Sequence, residues 1–475
     1  MPSQDTDVLE QPEVKRGGLW RDADFLKFWG AESLSMFGTQ ISMLAIPLLA
    51  VTVLDAGPFQ MGLINAAQFL PYLLFTLLAG VWVDQRRRRP IMIGANLGRA
   101  AVLALIPLTS VLGLLRVELL AAIVFAAATL TVVFDLAYQA YLPSLVKRDQ
   151  LIEGNGKLEG SRSIAQAGGP GIGGLIVGLA TAPVAVLLDA LTYLVSAIAL
   201  LFIRRPEAGP ATASTTATTA TATATASTTA TATATDPGPV LTRIGAGLRL
   251  VAHHRHLRAI AGEAATYNLF NQAFWAVLVL HLSRELHFSA LLLGTMLAMS
   301  GVGAFAGSVL AGRLARRWGL GRTIVATTAL ACAAPLLIPI AGGNGDGNGS
   351  GGRAAAVAVI AVALVLNGAG VAISNIHVVS LRQTVVPPEL LGRTNAGYRF
   401  LVTGTAALGA LLGGWLGGVI GLRATLAAAG LATLTALLFV VRSPLARLRV
   451  LADATEAGDP PAHHRLGPRP RPRRG

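Results

Sequence analysis

Apolar residues come in long blocks broken by short polar turns. From Phe28 to Leu54 the chain holds one acid, Glu32, and no base, and from Gln60 to Val83 it holds no charge at all. A helix needs about 20 apolar residues to cross about 30 Å of hydrocarbon. That ruler predicts twelve spans: near 28–54, 60–83, 90–113, 118–143, 161–181 and 183–203, then 258–281, 289–312, 323–341, 354–380, 396–420 and 424–441. Glycine and proline inside the blocks, as in "GGPGIGGLIVG" (168–178), suit a bundle in lipid, where small residues let backbones approach.

The polar turns alternate in charge. Lys15, Arg16, Arg21 and Lys27, the run Arg86 to Arg89, then Lys147, Arg148 and Lys157 fall on one side. Arg204, Arg205, Arg313, Arg316, Arg317, Arg322, Arg382, Arg393 and the arginine-rich tail continue that side. The other side has short base-poor turns and the glycine-rich link 342–353. By the positive-inside rule the basic side is cytoplasmic, with both termini there and the chain in the cell membrane. The first twenty residues are polar and mixed in charge, so the first apolar block reads as a retained span.

Composition agrees. Of 475 residues 53% are hydrophobic and 13% charged, with a mean hydropathy of +0.60, more apolar surface than a soluble chain can hide. The net charge of +14 is scattered between apolar blocks and forms no basic face, which fits topology and not nucleic acid. The single cysteine, Cys332, excludes a disulfide framework or thiolate metal site. No phosphate-binding G-x-x-x-x-G-K-[ST] loop is present, which disfavours direct ATP drive. No cofactor or metal is implied. His253, His254 and His256 read as a solvated basic loop, and an enzyme is disfavoured.

Residues 211–235 contain only Ala, Ser and Thr and read as a floppy linker dividing six spans from six. The expected organisation is a tail over 1–24, a six-helix bundle over 25–205, a linker and basic lead-in over 206–256, a second bundle over 257–442, and an Arg/Pro-rich tail over 443–475. The halves repeat. At an offset of 240, Asn155 meets Asn395, and Gly169, Gly173, Gly174 and Gly178 meet Gly409, Gly413, Gly414 and Gly418. At an offset of 232, "GVWVDQRR" (80–87) overlays "GRLARRWG" (312–319). The fold class is therefore an all-α polytopic membrane protein: two pseudosymmetric six-helix bundles around a central cavity.

In the loop after the second span, Gly80, Asp84, Arg88 and Arg89 form a pattern that resembles the signature loop of the major facilitator superfamily. Gln85 stands where that family usually has a base, and Arg87 replaces its second glycine. The second copy keeps Gly312 and Gly319 but has Arg316 at the acidic position. With "YLPSLVKRDQLIEGN" and "LLDALTYLVSAIAL", the chain looks like the branch with macrolide efflux proteins and siderophore exporters. The resemblance implies a monomeric secondary transporter in the bilayer, and its branch implies export. Independently of family, Asp84 ends a span where it can accept bonds from free N–H groups or pair with a base. That contact exists only while the basic ends are together, a latch for the outward-facing state. The arginines also suit an anionic leaflet.

Ionisable groups inside spans are costly unless paired or hydrated. Glu32, Arg99 and Asp135 come out at similar depth, so a buried Glu32–Arg99–Asp135 cluster is geometrically available. Two carboxylates near one base can exchange a proton at modest cost, which makes protons the expected coupling ion; the bland reading is a structural ion network. Asp189 reads as a packing residue, and Glu263 takes the place in the second half that Glu32 takes in the first. Asn65, Gln68 and Phe69, then Asn268, Asn271, Gln272 and Phe274, then Asn367 and Asn375, mark stripes for a mostly apolar substrate cavity. Sparse amides in apolar surroundings suit a small amphipathic solute better than a sugar. An importer or uniporter of the same fold, and a scaffold or receptor without turnover, are the competing readings.

Overall fold

A computed structural model describes residues 19–146, 150–205, 249, 251–252, 254–341, 350–386 and 388–448. The loop bases Lys147 and Arg148, His253, the Ala/Ser/Thr linker, most of the glycine-rich link, the outer parts of both tails and the Asp84 side chain lie outside the described residues.

Six long helices make the first half: α1 (Ala23–Thr52), α2 (Pro58–Asp84), α3 (Arg88–Val111), α4 (Val117–Leu145), α5 (Leu151–Leu179) and α6 (Ala182–Leu201). Six more make the second: α7 (Arg255–Arg284), α8 (Ala290–Trp318), α9 (Leu320–Ile340), α10 (Ser350–Val385), α11 (Pro388–Ile420) and α12 (Leu422–Val441). The described residues contain no strand. Among them nine helices are long and apolar enough to cross a membrane on composition alone; α2, α5 and α7 pack among these nine. Two helices begin more than two turns before the apolar ruler predicts, α5 at Leu151 and α11 at Pro388. Hydropathy stops at the edge of the hydrocarbon, but the backbone ladder does not. A proline at a first helical position lacks only an N–H that would have no partner anyway.

Sharp turns separate the tightly spaced pairs. Gly421 joins α11 to α12 at φ +85°, ψ 161°, and Gly319 joins α8 to α9 at φ +83°, ψ 158°, a region essentially reserved for glycine. A Cβ on Gly421 would meet nothing within 4 Å, so its substitution isolates backbone strain. Gly421→Ala should lower stability by about 1–3 kcal/mol, read as an earlier thermal unfolding transition in detergent.

The first half is tied shut where α1 begins and α6 ends. Asp22 caps α1 by accepting from the amides of Asp24 and Phe25 at 3.1 Å, and Arg205 pairs with Asp22 at 3.1 Å. Lys27 donates to the Phe202 carbonyl at 3.0 Å, while Arg89 donates to those of Leu200 and Leu201 at 2.8 Å. Cations thus cover the carbonyl end of α6, the negative end of its dipole.

The repeated glycines show how the halves meet. Within each half, Gly169 and Gly173 press α5 onto Gln40 and Ile41 of α1, as Gly409 and Gly413 press α11 onto Leu269 and Ala273 of α7. Between halves, Gly174 of α5 abuts Gly294 of α8, and Gly414 of α11 abuts Gly62 of α2. A Cβ on Gly174 would stand 3.0 Å from the Gly294 Cα, and one on Gly414 would stand 2.8 Å from the Gly62 Cα. The offsets of 240 and 232 seen in the sequence map one contact onto the other. Gly178 and Gly418, the remaining matched pair, both face open space.

These contacts lie on the face opposite the termini, where one apolar cluster takes in residues of both halves, among them Leu48, Ile64, Val186, Leu278 and Leu293. Arg284 also pairs there with Asp55 across the halves. Towards the terminal face the clusters separate. One around Phe28, Met92 and Tyr141 belongs to the first half, and others around Ile324 and Leu381 and around Leu257 belong to the second. The described residues are therefore sealed at one face and parted at the other.

Candidate functional site

Arg99, near the middle of α3, is buried, with 4% of its surface exposed. Its guanidinium lies between the rings of Phe134 (α4) and Tyr193 (α6), 4.2 and 4.1 Å from their centroids. It donates to the Asn96 side-chain oxygen. The Asn96 amide donates in turn to the Ser196 hydroxyl at 2.9 Å, and Tyr193 shares a 2.8 Å hydrogen bond with Thr39 of α1. Desolvated guanidinium–ring contacts contribute about 2 kcal/mol each, so Arg99 fastens four helices together.

This arrangement revises the expected Glu32–Arg99–Asp135 cluster. Among the described residues Arg99 makes no ion pair with either acid, because two rings cover its faces and Asn96 takes one of its donors. The acids remain within reach of its field. Both are half-buried. Asp135 accepts a hydrogen bond from the Tyr72 hydroxyl of α2 at 3.1 Å. Two further bases act on it, Arg162 of α5 and Arg399 of α11, and Arg162 also acts on Glu32. Arg399 belongs to the second half, yet its guanidinium stands 5.7 Å from the Tyr72 ring. Asp135 and Tyr72 therefore face the space between halves.

The other two acids are enclosed. Asp189 is 1% exposed and packs where α6 crosses Gly38 of α1, with the Thr192 hydroxyl 3.4 Å from its carboxylate. Glu263 is 9% exposed and neighbours Tyr267, Cys332 and Tyr398. Arg382 covers the Tyr398 ring at 4.2 Å. At the offset of 232 the position of Arg99 falls on Ala331.

The amide stripes divide. Asn65, Gln68, Phe69, Asn268, Asn271 and Gln272 are half-buried. Asn65 and Asn268 donate to carbonyls of their own helices, Met61 at 2.9 Å and Ala264 at 2.8 Å, leaving the amide oxygen as their outward group. Asn375 is exposed. Asn367, expected in a cavity, is 5% exposed and donates to the Ala331 carbonyl at 2.8 Å and to Tyr267 at 3.3 Å; it cross-links helices. Phe274, also expected there, is 3% exposed in the apolar cluster common to both halves. An aromatic one turn beyond an amide stripe looks the same in sequence whether it lines a cavity or seals it.

At the end of α2, Gly80 faces open space within the helix and Asp84 is its last residue. Arg89 is engaged on α6, and Arg88 is half-buried. Gly312 and Gly319 bracket the cationic end of α8. Sequence reasoning missed Asn96, Tyr193, Phe134, Arg162 and Arg399 as neighbours of the acids. Only Asn96, three residues before Arg99 and so on its helical face, carried a local signal.

Membrane-length helices in two matched bundles, sealed by mirrored glycine contacts around a polar interior, define a multi-pass membrane transporter of the two-bundle type. The family model described as "Transmembrane secretion effector" matches residues 19–466, and the chain belongs to that family, within the major facilitator superfamily. Macrolide efflux protein A of Streptococcus pyogenes is 25% identical over 40% of this chain and 47% of its own, so the match spans about half that relative's length. An uncharacterized MFS-type transporter of Mycobacterium tuberculosis is 29% identical over 68% of this chain and 73% of its own. The fold is shared with a bacterial homologue of the iron transporter ferroportin in its inward-facing state (TM-score 0.66, 16% identity, 88% of this chain and 98% of that one). It is shared also with the nucleoside transporter NupG (TM-score 0.65, 11% identity, 88% and 98%).

Proposed function

We propose that this transporter exports a hydrophobic or amphipathic small molecule across the cell membrane in exchange for protons, with both termini cytoplasmic. The observation that carries the reading is the pair of half-buried carboxylates, Glu32 and Asp135, within the field of the buried Arg99, with Asp135 bonded to Tyr72, whose ring stands 5.7 Å from Arg399 of the other half. Basic residues crowd the terminal face, which supports its being the cytoplasmic one; on that reading the described arrangement is inward-facing. Asp135 is bonded to Tyr72, and Arg399 stands beside that tyrosine, so relative movement of the halves alters the field at the acid.

In the cycle we infer, an acid loads a proton when the outer side is open and releases it to the cytoplasm in the arrangement described above. The bases facing the pair are Arg99, Arg162 and Arg399, and the hydroxyls are Tyr72 and Tyr138. Parting of the halves at the terminal face would give that proton a water path from the acids to the cytoplasm. The half-buried amides and Phe69 offer few hydrogen bonds in mostly apolar surroundings, which suits an amphipathic solute. The efflux relatives of Streptococcus pyogenes support the outward direction. Asp84 would latch the opposite state, once the basic ends close.

Inside-out vesicles test direction and driving force together. Imposing an acidic lumen should drive accumulation of at least one member of a panel of lipophilic drugs, and a protonophore should abolish it. Accumulation unaffected by the protonophore would overturn proton coupling; uptake only into right-side-out vesicles would favour the importer reading.

A further inference from the structure

The second copy of the signature loop departs from the first by carrying Arg316 where the acid would be, and the structure gives that departure a place. The end of α8, the turn at Gly319, the start of α9 and the terminal part of α10 enclose a cavity of about 1060 Å³. Arg316, Arg317 and Arg322 line it, with Trp318, His377 and Ser380. All three arginines are exposed, and among the described residues none makes an ion pair. The described second half has only two acids with placed side chains, Glu263 and Glu285. Glu263 is enclosed within α7 and Glu285 lies at the opposite face.

From this cavity we infer a binding site for the phosphate headgroup of an acidic phospholipid in the leaflet at the terminal face. Guanidinium forks match phosphate oxygens in pairs. The first turn of α9 has no side-chain cap at Gly319, and its Gly321 amide donates to the Leu448 carbonyl at 2.8 Å, so the guanidinium groups carry the anion binding. His377 is 6% exposed and lines the cavity; one ring nitrogen contacts the Ile373 carbonyl at 2.7 Å, leaving the other as the remaining polar atom of a buried side chain at the cavity wall.

Depth argues for lipid over a soluble anion. Trp318, 46% exposed, sits at the end of an apolar span, the level where tryptophan concentrates in membranes. Below Arg316 on the same face of α8 run Gly312, Val309 and Phe305, at spacings of four, three and four residues. Val309 and Phe305 are 54% and 65% exposed. A Cβ on Gly312 would meet only Arg316, at 3.5 Å, so this glycine leaves a notch directly beneath the cations. Phosphate above and acyl chains below is the shape of a phospholipid, and a free anion uses only the upper part.

The test is native mass spectrometry of the intact detergent-purified protein with phosphatidylglycerol and with phosphatidylcholine. Phosphatidylglycerol should bind preferentially. Each of Arg316→Gln, Arg317→Gln and Arg322→Gln should weaken that binding about fivefold, the usual effect of one basic residue at an anionic surface. Arg442→Gln, at an exposed arginine that does not line the cavity, should leave it unchanged. Millimolar inorganic phosphate should not displace the lipid. Equal binding of phosphatidylcholine, full retention by all three single variants, or displacement by phosphate alone would overturn the assignment.

Discussion

Gly414→Leu should stop turnover while the protein still reaches the membrane at close to normal abundance. A Cβ at Gly414 already stands 2.8 Å from the Gly62 Cα and from the Pro58 carbonyl oxygen, both backbone atoms with no rotamer to turn away. A leucine must therefore push α2 and α11 apart, and the seal between the halves cannot close as described. Overpacking of this kind costs about 1–3 kcal/mol where neighbours yield, and more against backbone. A shift of about 5.5 kcal/mol takes a two-state equilibrium from 1:99 to 99:1. Labelling of cysteines placed at each mouth should show the terminal mouth losing access and the opposite one gaining it. Gly294→Leu should act alike, since Gly174 and Gly294 make the mirrored contact. Gly418→Leu, one turn on and facing open space, supplies the control and should transport nearly normally. Equal activity of Gly414→Leu and Gly418→Leu would show that closure at this crossing is not part of the cycle.

Arg99→Ala should reduce folded protein more than any other single change in the polar centre. It empties the slot between Phe134 and Tyr193, frees Asn96, and removes the base whose field reaches Glu32, Asp135 and Asp189. Loss of the two desolvated guanidinium–ring contacts, about 2 kcal/mol each, sets the scale of the loss. Arg99→Lys keeps the charge but loses the planar stack and should fall between wild type and alanine. Asp189→Asn should restore part of the loss in the alanine background, because it removes the best-buried of the stranded carboxylates. Fluorescence-detected size-exclusion measures all three. Wild-type abundance for Arg99→Ala would mean that the guanidinium does not hold these helices.

Helix number and repeat were readable from the chain because lipid imposes a length on every crossing and because glycines recur where backbones must touch. The partners of these glycines, Gly62 and Gly294, were not singled out in the sequence, yet the offsets of 240 and 232 relate the two equivalent contacts between halves. What stayed hidden depends on rotation about helix axes. Phe134 and Tyr193 are ordinary apolar positions until α4 and α6 bring them against Arg99, and that approach displaced the expected ion cluster. Asn367 and Phe274 lay on stripes that sequence assigns to a cavity, and packing turned them inward. The starts of α5 and α11 escaped the ruler because helices outrun the hydrocarbon they cross.

The most direct measurement of the account is lipophilic-drug accumulation in inside-out vesicles with an acidic lumen, compared with counterflow of the same drug at equal pH, for wild type, Glu32→Gln and Asp135→Asn. If these carboxylates carry the proton, at least one variant loses gradient-driven accumulation and keeps counterflow, since it still binds substrate and still changes state. Gradient-driven accumulation persisting at wild-type levels in both variants would contradict it.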